Sequence, residues 1–129
     1  MFLFTDAILH HRPIQVFNQG NLSRDFTYID DIVGGMMAMI DAHASWHTTS
    51  AIYNIGNSQP VQLLDFIEAI EDYTGIPAQK EFLPMQPGDV AQTWADVSEL
   101  TRDFGYAPKT SITKGVKAFV DWYRGYYGV

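Results

Sequence analysis

Cysteine is absent from this chain of 129 residues, which excludes a disulfide framework, a thiolate metal site and a cysteine nucleophile. A cytoplasmic setting is the corresponding expectation. Positive charge is scarce: 8 Lys and Arg stand against 15 Asp and Glu, for a formal net charge of -7. Nucleic acid and anionic membrane surfaces are held by clustered Lys and Arg, so neither is an expected partner. No apolar run approaches the roughly 20 residues of a membrane-spanning helix. The opening "MFLFTDAILHHRPI" lacks the basic start and small-residue cleavage site of a secretory signal, and reads as a helix that Pro13 stops.

Signatures of cofactor chemistry are missing as well. A dinucleotide site needs a glycine-rich turn after its first strand, and neither that run nor a Walker motif occurs. A tyrosine placed one helical turn before a lysine lets the ammonium lower the phenol's pKa. Lys80, Lys109, Lys114 and Lys117 are preceded at that offset by Ile76, Gly105, Thr110 and Thr113, so the pair does not occur. His10 and His11 are adjacent and face different ways on a helix. His43 and His47 have metal-pair spacing where the helical pattern ends, and read as solvated side chains. The aspartate pairs Asp30 with Asp31 and Asp89 with Asp96 have nothing to place them across a cleft.

What is there reads as an α/β (α+β) chain, one domain over 1–129, of about five helices and four short strands. Strands are expected at 14–17, 26–29, 51–56 and 79–84. Asp30 or Asp31 is expected to cap a helix carrying Ile32, Val33, Met36, Met37 and Ile40, whose Gly34 and Gly35 suggest a close neighbour. A surface loop is expected over 43–50. Leu63, Phe66, Ile67 and Ile70 form the stripe of a helix stopped by Gly75. "MQPGDV" is a turn, Asp96 with Glu99 matches a capping box before a helix ending near Gly105, and a last helix carries Ile112, Val116, Phe119, Val120, Tyr123 and Tyr127.

Three stretches, "PIQVFNQGNLSRDFTYIDDI", "YNIGNSQPVQLLDFIEAIE" and "LPMQPGDVAQTWAD", are together more specific than any one of them. Over essentially the whole chain they resemble the C-terminal, substrate-binding part of the nucleotide-sugar epimerases of the extended short-chain dehydrogenase/reductase family, nearest the UDP-glucuronate 4-epimerases. The resemblance implies a small domain whose Rossmann half, with its NAD site and catalytic Tyr and Lys, lies outside this sequence. Met1 matches a position inside the family's chain, so a fragment is expected, one that holds no cofactor and has no catalytic residue of its own.

By the same resemblance, Arg24 of the R-D-F motif meets the diphosphate of a UDP-sugar, and a guanidinium suits that task because it stays charged and donates paired hydrogen bonds. An ion pair between Arg24 and a nearby Asp is the alternative. Main-chain groups at Gln15 and Phe17 would read uracil, or serve strand order alone. Asp89 of P-G-D would accept from ribose hydroxyls, or act only as a turn residue after Pro87 and Gly88. Gln86 stands where the galactose-type epimerases carry a second phosphate arginine, so the charge rests on Arg24. A stand-alone nucleotide-sugar-binding module, an assembly protein without ligand, and another nucleotide-sugar epimerase or dehydratase remain open. With the Rossmann half absent, Phe2, Phe4, Ile52 and Ile55 are expected to lie bare and a homodimer to cover them.

Overall fold

The structure, a computed structural model, describes residues 1–42 and 50–129. In chain order it has α1 (Phe2–Leu9), β1 (Ile14–Val16), a 3-10 turn (Phe17–Gly20), β2 (Ser23–Arg24), α2 (Ile29–Asp41), β3 (Val61–Gln62), α3 (Leu63–Thr74), β4 (Lys80–Phe82), α4 (Ser98–Phe104) and α5 (Ile112–Tyr127). The loop expected over 43–50, all but its last residue, and the His43–His47 pair lie outside the described residues. The chain divides into two compact units, Met1–Arg24 with Val61–Gln92 and Ser111–Val129, and Asp25–Pro60 with Thr93–Thr110.

In the first unit, helical spacing turns Phe66, Ile67 and Ile70 of α3 and Val116, Val120 and Tyr123 of α5 into facing stripes. Together with Ile8, Ile14 and Val16 they form its buried core. Gly75 ends α3 at φ 72 and Gly128 ends α5 at φ 70, left-handed positions that glycine adopts without a Cβ penalty. Ser111 caps α5 by accepting from Lys114 N–H at 3.3 Å. Two short ladders lie on this helical body. β1 pairs parallel with β4, Ile14 opposite Lys80 and Val16 opposite Phe82, and β2 pairs antiparallel with β3, Ser23 opposite Gln62.

Polar ties reinforce the helix contacts. Tyr123 donates to Asp6 Oδ1 at 2.7 Å, and Arg12 pairs with the same carboxylate. Lys117 bonds both Tyr73 on α3, at 2.6 Å, and Asp121, at 2.9 Å. Phe2 stands edge-on to Phe119, Tyr123 and Tyr127, and Phe4 lies against Phe66. Two of the side chains expected to lie bare are thus partly covered by their own unit.

The second unit is organised by Val97, Leu100 and Tyr106, with Met39, Tyr53, Ile55, Ala95 and Phe104 packed against them. The close neighbour that the paired glycines suggested belongs to Gly35 alone. A Cβ there would sit 3.0 Å from the Tyr106 ring, whereas Gly34 has nothing within 4 Å. Ile55 belongs to this core, while Ile52 is 92% exposed. The opposite face of α2 displays Ile29, Val33, Met36, Met37 and Ile40.

Several local expectations give way. "FTYI" and "AIYNIG" form no ladder among the described residues, because alternating apolar residues make a strand only where another segment returns to pair with them. Tyr53 and Ile55 nonetheless turn inward and pack against the core of the second unit. α2 begins at Ile29 with Tyr28 at its N-cap, two residues before Asp30, and Asp31 instead accepts from the N–H groups of Lys109 and Thr110 at 3.0 and 3.1 Å. Asp96 spends its carboxylate on Ser98, at 3.0 Å to N–H and 2.6 Å to the hydroxyl, so no capping box forms with Glu99.

One residue takes over the tying role that a ladder would have had. Asp25 accepts N–H bonds from Asn57 at 3.1 Å, Ser58 at 3.0 Å and Ala95 at 3.0 Å. Gly56 must lack a Cβ, which would meet Ala95 and come within 2.8 Å of Asp25 Oδ2. Replacing Asp25 with Ala leaves three donors without their acceptor. The expected loss is on the order of 2 to 4 kcal/mol, read by urea unfolding against the parent chain.

Acidification is expected to lower stability too. Asp6 is held below its usual range by the Tyr123 hydroxyl and then Arg12, Asp96 by Ser98, Asp103 by Arg102 and then Tyr53, and Asp121 by Tyr73 and then Lys117. Each carboxyl takes up its proton at higher pH unfolded than folded, so its contribution is present at neutral pH and lost as pH falls through and below about 4. The melting temperature should therefore hold from pH 7 to about 5 and fall below about 4.

Candidate functional site

Arg24, Asp89, Gln86, Gln15 and Phe17 all belong to the first unit, and the stretch from Gln79 to Gln92 borders each of them. It enters as β4 along β1. Ile14 N–H donates to the Gln79 carbonyl at 2.8 Å and Leu83 N–H to the Val16 carbonyl at 2.9 Å. Parallel ladders use alternate residues, so Ile14 and Val16 turn their main-chain groups toward β4. A trans peptide points its N–H and C=O in opposite directions. The Gln15 N–H and C=O and the Phe17 N–H therefore line the other edge of β1, which pairs with no strand among the described residues.

The same stretch then turns at Gln86, Pro87, Gly88 and Asp89. Asp89 N–H closes the turn on the Gln86 carbonyl at 3.2 Å, and Gly88 takes φ 84 at the position where a type II turn requires it. Pro87 presets the position before it. Leaving the turn, the chain crosses β2, where Ser23 N–H donates to the Ala91 carbonyl at 2.9 Å and Ser23 bridges Gln92.

At that crossing the Arg24 guanidinium is gripped from several directions. Nη1 donates to the Ser23 carbonyl at 2.8 Å and the Ala91 carbonyl at 3.4 Å, and Nη2 donates to Asp89 Oδ1 at 2.7 Å. Asp89 Oδ1 also accepts Val90 N–H at 2.9 Å. An arginine has five N–H donors, so Nε and one Nη2 hydrogen are left over. Asp89 Oδ2 likewise has no partner among the described residues. Both side chains are partly open, 23% for Arg24 and 31% for Asp89.

The geometry brings Arg24 and Asp89 together and places Gln86 in the same turn with an exposed side chain, while Gln15 and Phe17 sit on the β1 edge. The ion pair that stood as the alternative for Arg24 is present, and it leaves donors on one partner and an acceptor on the other. Sequence reasoning missed the two carbonyl anchors of Arg24, at Ser23 and Ala91. No side-chain type marks a carbonyl acceptor, so only the return of residues 91 and 92 beside Ser23 reveals them. Among the described residues no three His, Cys, Asp or Glu gather as a metal site would, and no helix is long and apolar enough to cross a membrane.

The sequence pattern of the GDP-mannose 4,6 dehydratase family matches residues 3–119. Protein CapI of Staphylococcus aureus is 43% identical, over 98% of this chain and 42% of its own length. A probable UDP-glucuronate 4-epimerase of Rhizobium meliloti is 37% identical, over 98% of this chain and 42% of its own. In space, the UDP-glucuronic acid 4-epimerase of Bacillus cereus, solved in complex with UDP-glucuronic acid and NAD, superposes with a TM-score of 0.82 at 34% identity, covering 96% of this chain and 39% of that one. The chain thus spans about two-fifths of the length of the curated relatives it matches.

Proposed function

The chain belongs to the GDP-mannose 4,6 dehydratase family as a UDP-glucuronate 4-epimerase-like domain, and from that premise we propose that it holds the uridine diphosphate portion of a UDP-sugar. The observation that carries the reading is the Arg24 guanidinium, anchored on three protein acceptors with donors to spare. Phosphate oxygens take up such donors in charge-assisted hydrogen bonds, which are about twice as strong as neutral ones. Asp89 Oδ2 is available to ribose hydroxyls. The β1 edge supports the base assignment: the adjacent N–H and C=O of Gln15, followed by the Phe17 N–H, suit a ring N–H flanked by carbonyls, which is what uracil presents.

In this reading the chain contributes binding and orientation. Its described residues do not fit NAD: β1 runs into the 3-10 turn Phe17–Gly20 with no helix N-terminus after it, and β3 passes straight into α3 without the glycine-rich turn that receives a pyrophosphate. Hydride exchange at the sugar's C4 with NAD would belong to the longer enzyme that the relatives represent, and no step of it is assigned to residues of this chain.

Isothermal titration of UDP tests the assignment. Arg24→Ala is expected to lose about 1.5 to 3 kcal/mol of binding free energy, the scale of a hydrogen bond to a charged group. CDP, whose base offers no ring N–H, is expected to bind more weakly than UDP to the parent. Equal UDP affinity in the Arg24→Ala variant and the parent would remove the phosphate role.

A further inference from the structure

We propose that Asp89 works through Arg24 as its positioning residue, fixing the plane of the guanidinium so that the remaining donors present a ready-made anion edge. The inference rests on the diphosphate reading of Arg24 and assigns Asp89 a task besides any contact of its own with ligand. The two carbonyls of Ser23 and Ala91 both act on Nη1. A planar group held at one atom can still swing about it. Asp89 supplies a second point, on Nη2 at 2.7 Å, and with the covalent attachment at Nε as the third the plane of the group is fixed.

Asp89 is itself well placed to serve as an anchor. Its Oδ1 is shared with Val90 N–H at 2.9 Å, and its backbone is set by the turn closed on Gln86 at 3.2 Å with Gly88 at φ 84. Because Oδ2 carries no partner among the described residues, Asp89 can keep its hold on Arg24 while that oxygen meets a hydroxyl.

The sign of one substitution separates positioning from plain electrostatics. A carboxylate beside an anion site repels the anion, so if Asp89 were only a charge, deleting it would tighten anion binding. If it positions Arg24, deleting it loosens binding instead.

The experiment titrates inorganic pyrophosphate into the full chain and its Asp89→Asn and Asp89→Ala variants, followed by NMR, with thermal unfolding confirming that each is folded. Asp89→Asn keeps an oxygen toward Arg24 and Val90 without the charge, and affinity equal to or above the parent's is expected. Asp89→Ala removes the anchor, and affinity is expected to fall roughly tenfold. An Ala variant that binds as tightly as the parent, or an Asn variant as weak as Ala, would overturn the proposal. In the ligand-free chain, restrained rotation about the Cζ–Nη bonds keeps the Arg24 Nη signals separate; they should stay separate in parent and Asn variant and merge in Ala. Merged signals in the parent would equally overturn it. Separate signals in a parent that binds no pyrophosphate would support the positioning and overturn the diphosphate reading.

Discussion

The parallel pairing of β4 with β1 joins segments far apart in the chain, Ile14 opposite Lys80, and every feature of the candidate site follows from it. That ladder is three residues long, too short to be stable alone, and it persists because Ile14 and Val16 are buried, with β1 packed beside α1. With β4 fixed, the chain leaving it must pass along β1, turn at Pro87 and Gly88, and meet Ser23. Asp89 arrives at Arg24 as a consequence of that route. The helical core is therefore the remote support of a contact to which it contributes no polar atom.

An acidic chain that binds an anion must do so with locally organised charge. With a net charge of -7, the long-range field of this chain disfavours an anionic ligand. A short-range arrangement can still win, because fixed donors gain most where the cation needs no further ordering. Arg24 meets that condition through two main-chain carbonyls and one carboxylate. The ion pair and the proposed ligand role, which looked like competing readings of one residue, are compatible, because the pair leaves other hydrogens of the same guanidinium unused.

The residue that follows Arg24 serves its own unit in a different way. Asp25 gathers three backbone N–H groups, and Tyr106 adds a hydrogen bond from its hydroxyl to the Gly56 carbonyl at 2.8 Å. Burial raises the Tyr106 phenol above its ordinary pKa, with Asp31 and then Asp25 acting in the same direction, which keeps it a donor. Adjacent residues of one short motif thus divide the work, Arg24 at the candidate site and Asp25 in the loops of its unit.

The amino-acid order by itself determined the helices and the glycine stops of two of them. Phe66, Ile67 and Ile70 on α3, and Val116, Val120 and Tyr123 on α5, declare a buried stripe by spacing alone, and Gly75 and Gly105 mark stops realised at φ 72 and φ 68. The Pro87-Gly88 turn was equally legible. These features depend on neighbours within one or two turns of chain, which the sequence displays directly. Tertiary structure decided which extended stretches found partners: Ser23–Arg24 and Val61–Gln62 pair, though neither is long enough to show a period, while the apolar runs at 26–29 and 51–56 find no strand partner among the described residues. It also decided that the partner of Arg24 is Asp89, 65 residues away, and that two carbonyls hold the same guanidinium. A ladder partner and a charge partner are properties of the path by which the chain returns, and that path is set by packing of the whole unit.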